Sequence, residues 1–383
     1  MNHSVSRTKS PLNLIRWLEY HWATPAYGGW VLIGIALSFF GAATNTMAGW
    51  LYVLSGMLLS LLGLNFVVAI NTLKKLQIKH LAIASVSAGD ELTVSLKINN
   101  PTQKNKTLIS IIEHIPPTLG KEIKHNIETL PPGQEILLTA YLQTNNRGIY
   151  HWDYLSLRTA APFGLFYCSR YYQVKTSAIV YPHILTLQNC PLIDNLGQEE
   201  ARKRDSNQVY NHATEGVTKA LRQYRYGDPI RLIHWRTSAR LGELQVRELE
   251  TITGGEEITI CLDNSGDWDK QDFENAVIAV ASMYCYASRQ QLEVKVWIGD
   301  MGLIHGRKVT LETLAGVNYG GIMKNNIPQL PLIWISNNSN YLNSLPLGSR
   351  YFLFNKDIVS SSLKGIIYDS ENSLVSQLQK HLQ

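Results

Sequence analysis

Residues 20–73 contain no Asp, Glu, Lys or Arg, and within that run 30–43 and 49–70 are dense in Leu, Val, Ile, Phe and Gly. A bilayer-crossing helix takes about 20 such residues, so the run predicts two helices over roughly 27–46 and 49–70, joined by a tight polar turn at Thr44, Asn45 and Thr46. Trp22, Trp30, Trp50 and Tyr52 fall where an interfacial aromatic belt would lie. The apolar run is far longer than the core of a cleaved signal peptide. Past residue 75 the period changes. Runs over 91–98, 107–112, 135–142, 149–157 and 178–181 alternate or carry β-branched residues, and their Gly, Asn and Pro separators leave no room for crossover helices. They predict an antiparallel β-sandwich, Ig-like in outline. From 256 onward the pattern is strand (258–263), loop, and a helix (272–289) apolar nearly all round. Strands at 292–298, 332–336 and 351–354 follow, with helical pieces near 310–316 and 372–382. Such alternation predicts a doubly wound, mostly parallel α/β sheet, Rossmann-like in class. The chain is therefore expected to be multidomain: an N-terminal segment with a transmembrane helical hairpin (1–75), a β-rich sandwich (76–182), an Arg-rich segment (183–255) and an α/β domain (256–383).

Composition sharpens two points. Of the 383 residues 45% are apolar and 17% are Asp, Glu, Lys or Arg, so part of the surface is expected to face something other than water, a membrane first of all. The formal charge is only +5, and 201–250 alone holds ten Lys or Arg against six Asp or Glu. An excess so localised argues against a general polyanion binder, and no nucleic-acid partner is expected. Arg7, Lys9 and Arg16 precede the first span and Lys74, Lys75 and Lys79 follow the second, so the positive-inside rule puts both ends and the body on the cytoplasmic side of a plasma (inner) membrane. Cys168, Cys190, Cys261 and Cys285 are widely spaced, without a C-x-x-C pair, which suits a reducing compartment.

The most distinctive stretch is 216–250, with six arginines. Asp228 before Pro229 is a helix-start signal and Gly242 a left-handed stop, predicting a helix over about 229–240. On it Ile230, Ile233, Thr237 and Leu241 would share one side, Arg236 and Arg240 would stand a turn apart, and Arg231 would lie one turn from Trp235, close enough to stack. His234 and Ser238 are also a turn apart. A Ser–His–Asp hydrolase built from Ser238, His234 and Asp228 would lack the strained elbow and oxyanion hole that acyl transfer needs. Two readings stay open for the arginines: an internal lattice of salt bridges, or a surface that holds a partner's carboxylates or phosphates.

The run Arg225-Tyr226-Gly227-Asp228-Pro229-Ile230-Arg231-Leu232-Ile233-His234-Trp235-Arg236-Thr237-Ser238-Ala239-Arg240, continued by Leu244-Gln245-Val246-Arg247-Glu248, resembles the signature of the bacterial membrane proteins catalogued as domain of unknown function 58. The two N-terminal spans, Arg147-Gly148, Pro162-Phe163-Gly164-Leu165-Phe166 and a C-terminal half resembling a von Willebrand factor A domain extend the likeness over nearly the whole chain. The resemblance implies association with MoxR-type AAA+ ATPases and other von Willebrand A-like proteins in the assembly or maturation of protein complexes. It supplies no reaction. Asp263-Asn264-Ser265-Gly266-Asp267 resembles the Asp-x-Ser-x-Ser element of the metal-ion-dependent adhesion site, with Asp267 in place of the second serine. Oxygen ligands of that kind suit Mg²⁺ or Ca²⁺. The threonine and the later aspartate expected from that resemblance have no clear counterpart, so a degenerate metal loop is expected. An EF-hand template also fits on spacing through Asp269 and Glu274, but Trp268 stands where the turn needs glycine.

These features point to a non-enzymatic, membrane-anchored scaffold or adaptor with a cytoplasmic docking surface made by Arg225, Asp228, Arg231, His234, Trp235, Arg236, Ser238 and Arg240. There is no Walker A motif, so ATP chemistry would belong to a partner. The alternative is a metal-assisted hydrolase using Asp263, Ser265 and Asp267 with His234 as base.

Overall fold

The computed structural model describes residues 19, 22–196, 217–225, 233–250, 257–323, 325–355 and 363–380. The chain divides into two compact units, Met1–Tyr181 and Pro182–Gln383.

In the first unit a two-residue strand β1 (Thr24–Pro25) leads into helices α1 (Tyr27–Thr46) and α2 (Gly49–Thr72). Both are long and apolar enough to cross a membrane, and in their most apolar stretches only 17% and 22% of residues are buried. The core helix of a water-soluble domain would be mostly buried, whereas most residues of these stretches are left uncovered by the chain itself. The connection differs from the sequence expectation: Thr44 and Thr46 are helical, their hydroxyls donating back to the carbonyls of Gly41 and Ala42, and the reversal falls on Met47, in left-handed conformation at φ 56°, and Ala48. Ser55 donates to the Ala36 carbonyl (2.9 Å), which satisfies a buried hydroxyl between the two helices.

Two sheets follow. One is ordered β2 (Gln77–His80), β4 (Glu91–Asn99) and β7 (Glu135–Gln143); the other runs β1, β9 (Phe166–Tyr181), β8 (Gly148–Thr159), β5 (Lys106–Glu113) and β6 (Ile123–Leu130), with β3 (Val86–Ser87) on β9. All pairs are antiparallel except β3 with β9. Alternation in β4 buries Leu92, Val94, Leu96 and Ile98 and exposes the residues between, as a half-buried strand should. The pattern predicted four of these strands near their observed bounds. It missed β1, β2, β3 and β6, and it recognised only the last four residues of β9, because apolar residues there are interrupted by half-buried Arg170 and by Gln173 and Lys175 on the outward face.

The two helices do not hang from this sandwich on a free tether. Leu62, Ala69 and Leu73 of α2 and its C-terminal end share one apolar cluster with Leu96, Ile98, Ile109, Ile111, Leu157 and Phe166. Polar contacts close the same junction. Lys106, 5% exposed, donates from Nζ to the carbonyls of Asn71 (2.7 Å) and Lys74 (3.3 Å), and the Tyr172 hydroxyl donates to that of Leu73 (2.6 Å). These carbonyls lie at the C-terminal end of α2, where they face the buried ammonium and compensate its burial. Burial, with Lys104 and Lys75 nearby, pulls the Lys106 amine below its usual range.

The second unit carries a six-stranded sheet ordered β14 (Gly302–His305), β13 (Glu293–Ile298), β12 (Glu257–Leu262), β15 (Leu332–Ser336), β16 (Arg350–Leu353) and β17 (Lys364–Ile367). It is parallel throughout except for β14 at the edge. The expected α/β sheet is present; β14 and β17 are additions, four residues each and too short to show a period. Between β12 and β13 lies a helix (Lys270–Arg289) with Phe273, Ala276, Val277, Val280 and Ala281 fully buried. The strand order changes direction at β12, where the carboxyl ends of β12 and β15 lie side by side. The four cysteines are free and buried.

Candidate functional site

Three places in the described structure carry chemistry. The first is the Arg-rich signature. Strands β10 (Val217–Gln223) and β11 (Gln245–Glu250) pair antiparallel, Gln223 opposite Gln245, and the excursion between them holds a short helix, α3 (Trp235–Leu241). This corrects the expected helix over 229–240. Ile233 is in an extended bridge to Val246, and the His234 N–H donates to the Gln245 carbonyl (2.8 Å), so the chain is still strand-like where the pattern placed mid-helix. Helix α3 starts at Trp235, and its cap is His234, whose side chain accepts from the Thr237 N–H (3.2 Å) and pairs with the Thr237 hydroxyl (2.8 Å). Asp228 and Arg231, assigned to capping and to stacking on Trp235, lie outside the described residues. Gly242 ends the helix at φ 73°, as expected.

Ser238 is buried and fixed at both ends: its hydroxyl donates to the His234 carbonyl (3.0 Å) and accepts from the Gln245 N–H (2.8 Å). With Ile233 and Val246 it forms the inner side of the motif. The outer side is unlike the expected apolar stripe. Trp235 and Leu241 are each 61% exposed, Leu244 is exposed, and so are Arg225, Arg236 and Arg240. Among the described residues neither Arg236 nor Arg240 forms an ion pair. The structure thus brings together His234, Ser238 and Gln245 as a hydrogen-bonded brace, and turns Trp235, Arg236 and Arg240 outward.

The second place is the carboxyl end of β12. Asp263 directly follows the strand and is 1% exposed. Its Oδ1 accepts from the N–H (3.0 Å) and hydroxyl of Ser265, and its Oδ2 accepts from the Ser336 hydroxyl (2.9 Å) at the end of β15. Ser336 was not singled out from the sequence; the adjacency of two strand ends, invisible along the chain, puts it there. Asp267 is exposed and its backbone carbonyl accepts from Asn337 (2.7 Å), while Asp269 caps the following helix by accepting from the Gln271 N–H (2.9 Å). Trp268 is buried, its indole N–H donating to the Asp263 carbonyl (3.1 Å). A hard cation asks for six or more oxygens, with several charges for tight binding. Here one buried carboxylate has both oxygens engaged by hydroxyl donors, and no group of three His, Cys, Asp or Glu converges among the described residues. The residues present do not fit a tightly held Mg²⁺ or Ca²⁺, and no chemical step is routed through one.

The third place lies inside the sandwich, where the pattern offered nothing. Glu113, 1% exposed at its side chain, faces His80 (Oε2 to Nε2, 3.6 Å), and the His80 ring stands edge-on to Trp152 (6.2 Å between ring centres). No hydrogen bond closes on either carboxylate oxygen, either imidazole nitrogen or the indole N–H. Burial pushes the Glu113 carboxyl up to about 7, and burial pushes the His80 imidazole down. Both shifts favour the uncharged forms, so the pair is neutral in the folded protein near pH 6.5.

The class so defined is a chain with two helices long enough to span a membrane, a β-rich body fused to them and a second unit built on a mostly parallel α/β sheet. The family model described as "Protein of unknown function DUF58" matches residues 220–289, from β10 through the helix after β12. That match supports the DUF58 family and carries no activity with it. No curated protein matches. Among solved structures, similarity is found to the CARDB domain of PF1109 from Pyrococcus furiosus (14% identity, 26% of this chain and 93% of that one, TM-score 0.18). It is also found to a β-glucosidase from Listeria innocua (13%, 26% and 16%, TM-score 0.16), so this chain spans about a sixth of that enzyme, and to a putative late embryogenesis abundant protein (9%, 40% and 90%, TM-score 0.20). At these TM-scores none of them bears on the fold or the activity of this chain.

Proposed function

We propose that the protein is a membrane-anchored, non-enzymatic scaffold whose α3 segment is a docking surface for a MoxR-type AAA+ ATPase, in the assembly or maturation of protein complexes. In this reading α1 and α2 span a plasma membrane with both units on the cytoplasmic side, the sandwich is Ig-like, and the second unit is a von Willebrand A-like domain with its parallel sheet flanked by one antiparallel edge strand. The observation that carries the reading is the outer side of the signature. A tryptophan and two arginines that form no ion pair among the described residues are held out by a helix whose cap and inner serine are fixed by hydrogen bonds. Trp and Arg are the residue types that dominate interface energies, and a pre-ordered helix loses little entropy on binding. A purely internal lattice would instead bury these side chains against acidic partners.

The test is affinity purification of the tagged full-length protein from native membranes in mild detergent, followed by mass spectrometry, comparing wild type with the double variant Trp235→Ala/Arg236→Glu. Recovery of an AAA+ ATPase with wild type and its loss from a variant of unchanged melting temperature is the expected result. A variant that melts much lower makes the motif architecture, and an absence of any AAA+ ATPase in both samples overturns the adaptor role. His234→Ala serves as the contrasting change: loss of the cap should cost about 1 kcal/mol and lower the melting temperature of its unit.

A further inference from the structure

The turn between β8 and β9 carries Pro162, Phe163, Gly164, Leu165 and Phe166. Phe166 is buried and meets Phe66 of α2 edge-on (5.7 Å), and Gly164, at φ 72°, closes a tight turn by donating its N–H to the Ala160 carbonyl (2.7 Å). Phe163, at the tip of that turn, is 66% exposed.

A single exposed Phe is ordinary on a soluble surface. This one is fixed at a particular height. The Leu165 carbonyl accepts from the Ala26 N–H (2.8 Å), and a Cβ placed on Gly29 would stand 2.2 Å from that same oxygen, so the base of the turn lies directly on the first turn of α1. From Gly29 to the reversal at Met47 the helix rises about 27 Å at roughly 1.5 Å per residue. That is close to the roughly 30 Å of a bilayer's hydrocarbon core. If the reversal sits at one boundary, the Phe163 turn sits at the other, level with Tyr27, which is 88% exposed. Lys74 and Lys75, at the end of α2, and Lys104, beside Lys106, supply cations at the same end of the unit.

We propose that the 161–165 turn is a lipid contact, with the Phe163 ring lying in the boundary between headgroups and acyl chains and the neighbouring lysines facing anionic headgroups. This rests on reading α1 and α2 as membrane spans. An aromatic ring at that depth, with basic residues on its aqueous side, is the arrangement that holds peripheral segments on anionic bilayers. Its consequence for the fold is a third attachment beside the two helices, which restrains the sandwich against tilting on the membrane.

All four native cysteines are buried, so an introduced surface cysteine can be labelled selectively. Full-length Phe163→Cys, Tyr27→Cys and Asn145→Cys, the last at the opposite end of the β7–β8 strands, would each be labelled with nitrobenzoxadiazole and reconstituted into phosphatidylcholine vesicles containing phosphatidylglycerol. The expected result is blue-shifted emission and strong quenching by lipids spin-labelled at shallow acyl positions for the labels at 27 and 163, and neither for 145. A quenched label at 27 with a water-like, unquenched label at 163 overturns the lipid contact alone. Unquenched labels at both overturn the span reading together with it. Variants that melt as wild type in detergent keep each outcome interpretable.

Discussion

The buried pair in the sandwich makes a signed prediction about stability. Replacing Glu113 by Gln keeps the shape of the side chain and removes its titration. In the folded protein the Glu113 carboxyl holds its proton to about pH 7, while its ordinary value is 4.5. Between those values the unfolded chain has released a proton that the folded chain still binds, so stability falls as pH rises from about 4.5 to about 7 and is level above. A displacement from 4.5 to about 7, at roughly 1.4 kcal/mol per unit, corresponds to about 3 kcal/mol. His80 works in the opposite direction. Its lowered value means that the unfolded chain takes up a proton below about pH 6.5 that the folded chain refuses, so its contribution is lost as pH falls through that range. In wild type the two slopes partly cancel between about 4.5 and 6.5. In Glu113→Gln only the histidine slope remains.

The quantity to measure is the difference in melting temperature between variant and wild type as a function of pH, which removes any constant effect of the amide on packing. The variant should gain on wild type by about 3 kcal/mol between pH 4.5 and pH 8, or roughly 6–12 °C for a unit of this size. Scanning the intrinsic tryptophan fluorescence of the detergent-solubilised protein is suited to this, since Trp152 stands against His80. A difference that stays constant with pH would refute the neutral-pair argument. A variant gain confined to pH above about 6.5, with wild type gaining instead below about pH 4.5, would mean that the two groups form an ion pair and that attraction outweighs desolvation.

Two further changes probe how the helices are joined to the sandwich. Lys106→Met removes the donor to the Asn71 and Lys74 carbonyls while keeping most of the stem, and should cost about 2 kcal/mol, read as a fall of roughly 4–8 °C in the melting temperature of the first unit. An unchanged melt would show that water replaces the ammonium. Gly29→Ala puts a methyl group 2.2 Å from the Leu165 carbonyl oxygen and should cost about 1–3 kcal/mol, whereas Gly34→Ala, with open space around it, should be neutral or slightly stabilising; equal melts for the two would refute the close approach.

Periodicity along the chain determined a good deal of this protein. An uncharged run twice the length of one span allows little except two helices, and they run within two residues of the expected bounds. Alternation determined strands such as β4 and β7, because one face of each is buried or half-buried and the other is exposed. A run of buried small and branched residues between a strand and a polar stop determined the helix after β12. Composition also marked 216–250 as unusual, and that stretch lies largely within the segment matched by the DUF58 model.

What the tertiary structure decided is where local signals met distant partners. Asp228-Pro229 is a sound helix-start signal in isolation, yet the bridge of Ile233 to Val246 and the bond from His234 to Gln245 hold residues 233 and 234 out of a helix, and α3 begins at Trp235. An apolar stripe at helical spacing suggested that Leu241 was inward, but a helix of under two turns between two strands has an inner side only one or two residues wide, and Ser238 occupies it. Glu113, His80 and Trp152 are far apart in sequence and individually ordinary; only the facing of two sheets puts them in one dry space, where burial moves their protonation. The same holds for Asp263 and Ser336, which meet because β12 and β15 are hydrogen-bonded neighbours across 73 positions of chain. Hydrophobic patterning reports which side of an element is covered, because burial favours apolar groups whatever covers them. It carries no record of what does the covering, and the chemistry of this protein lies in those pairings.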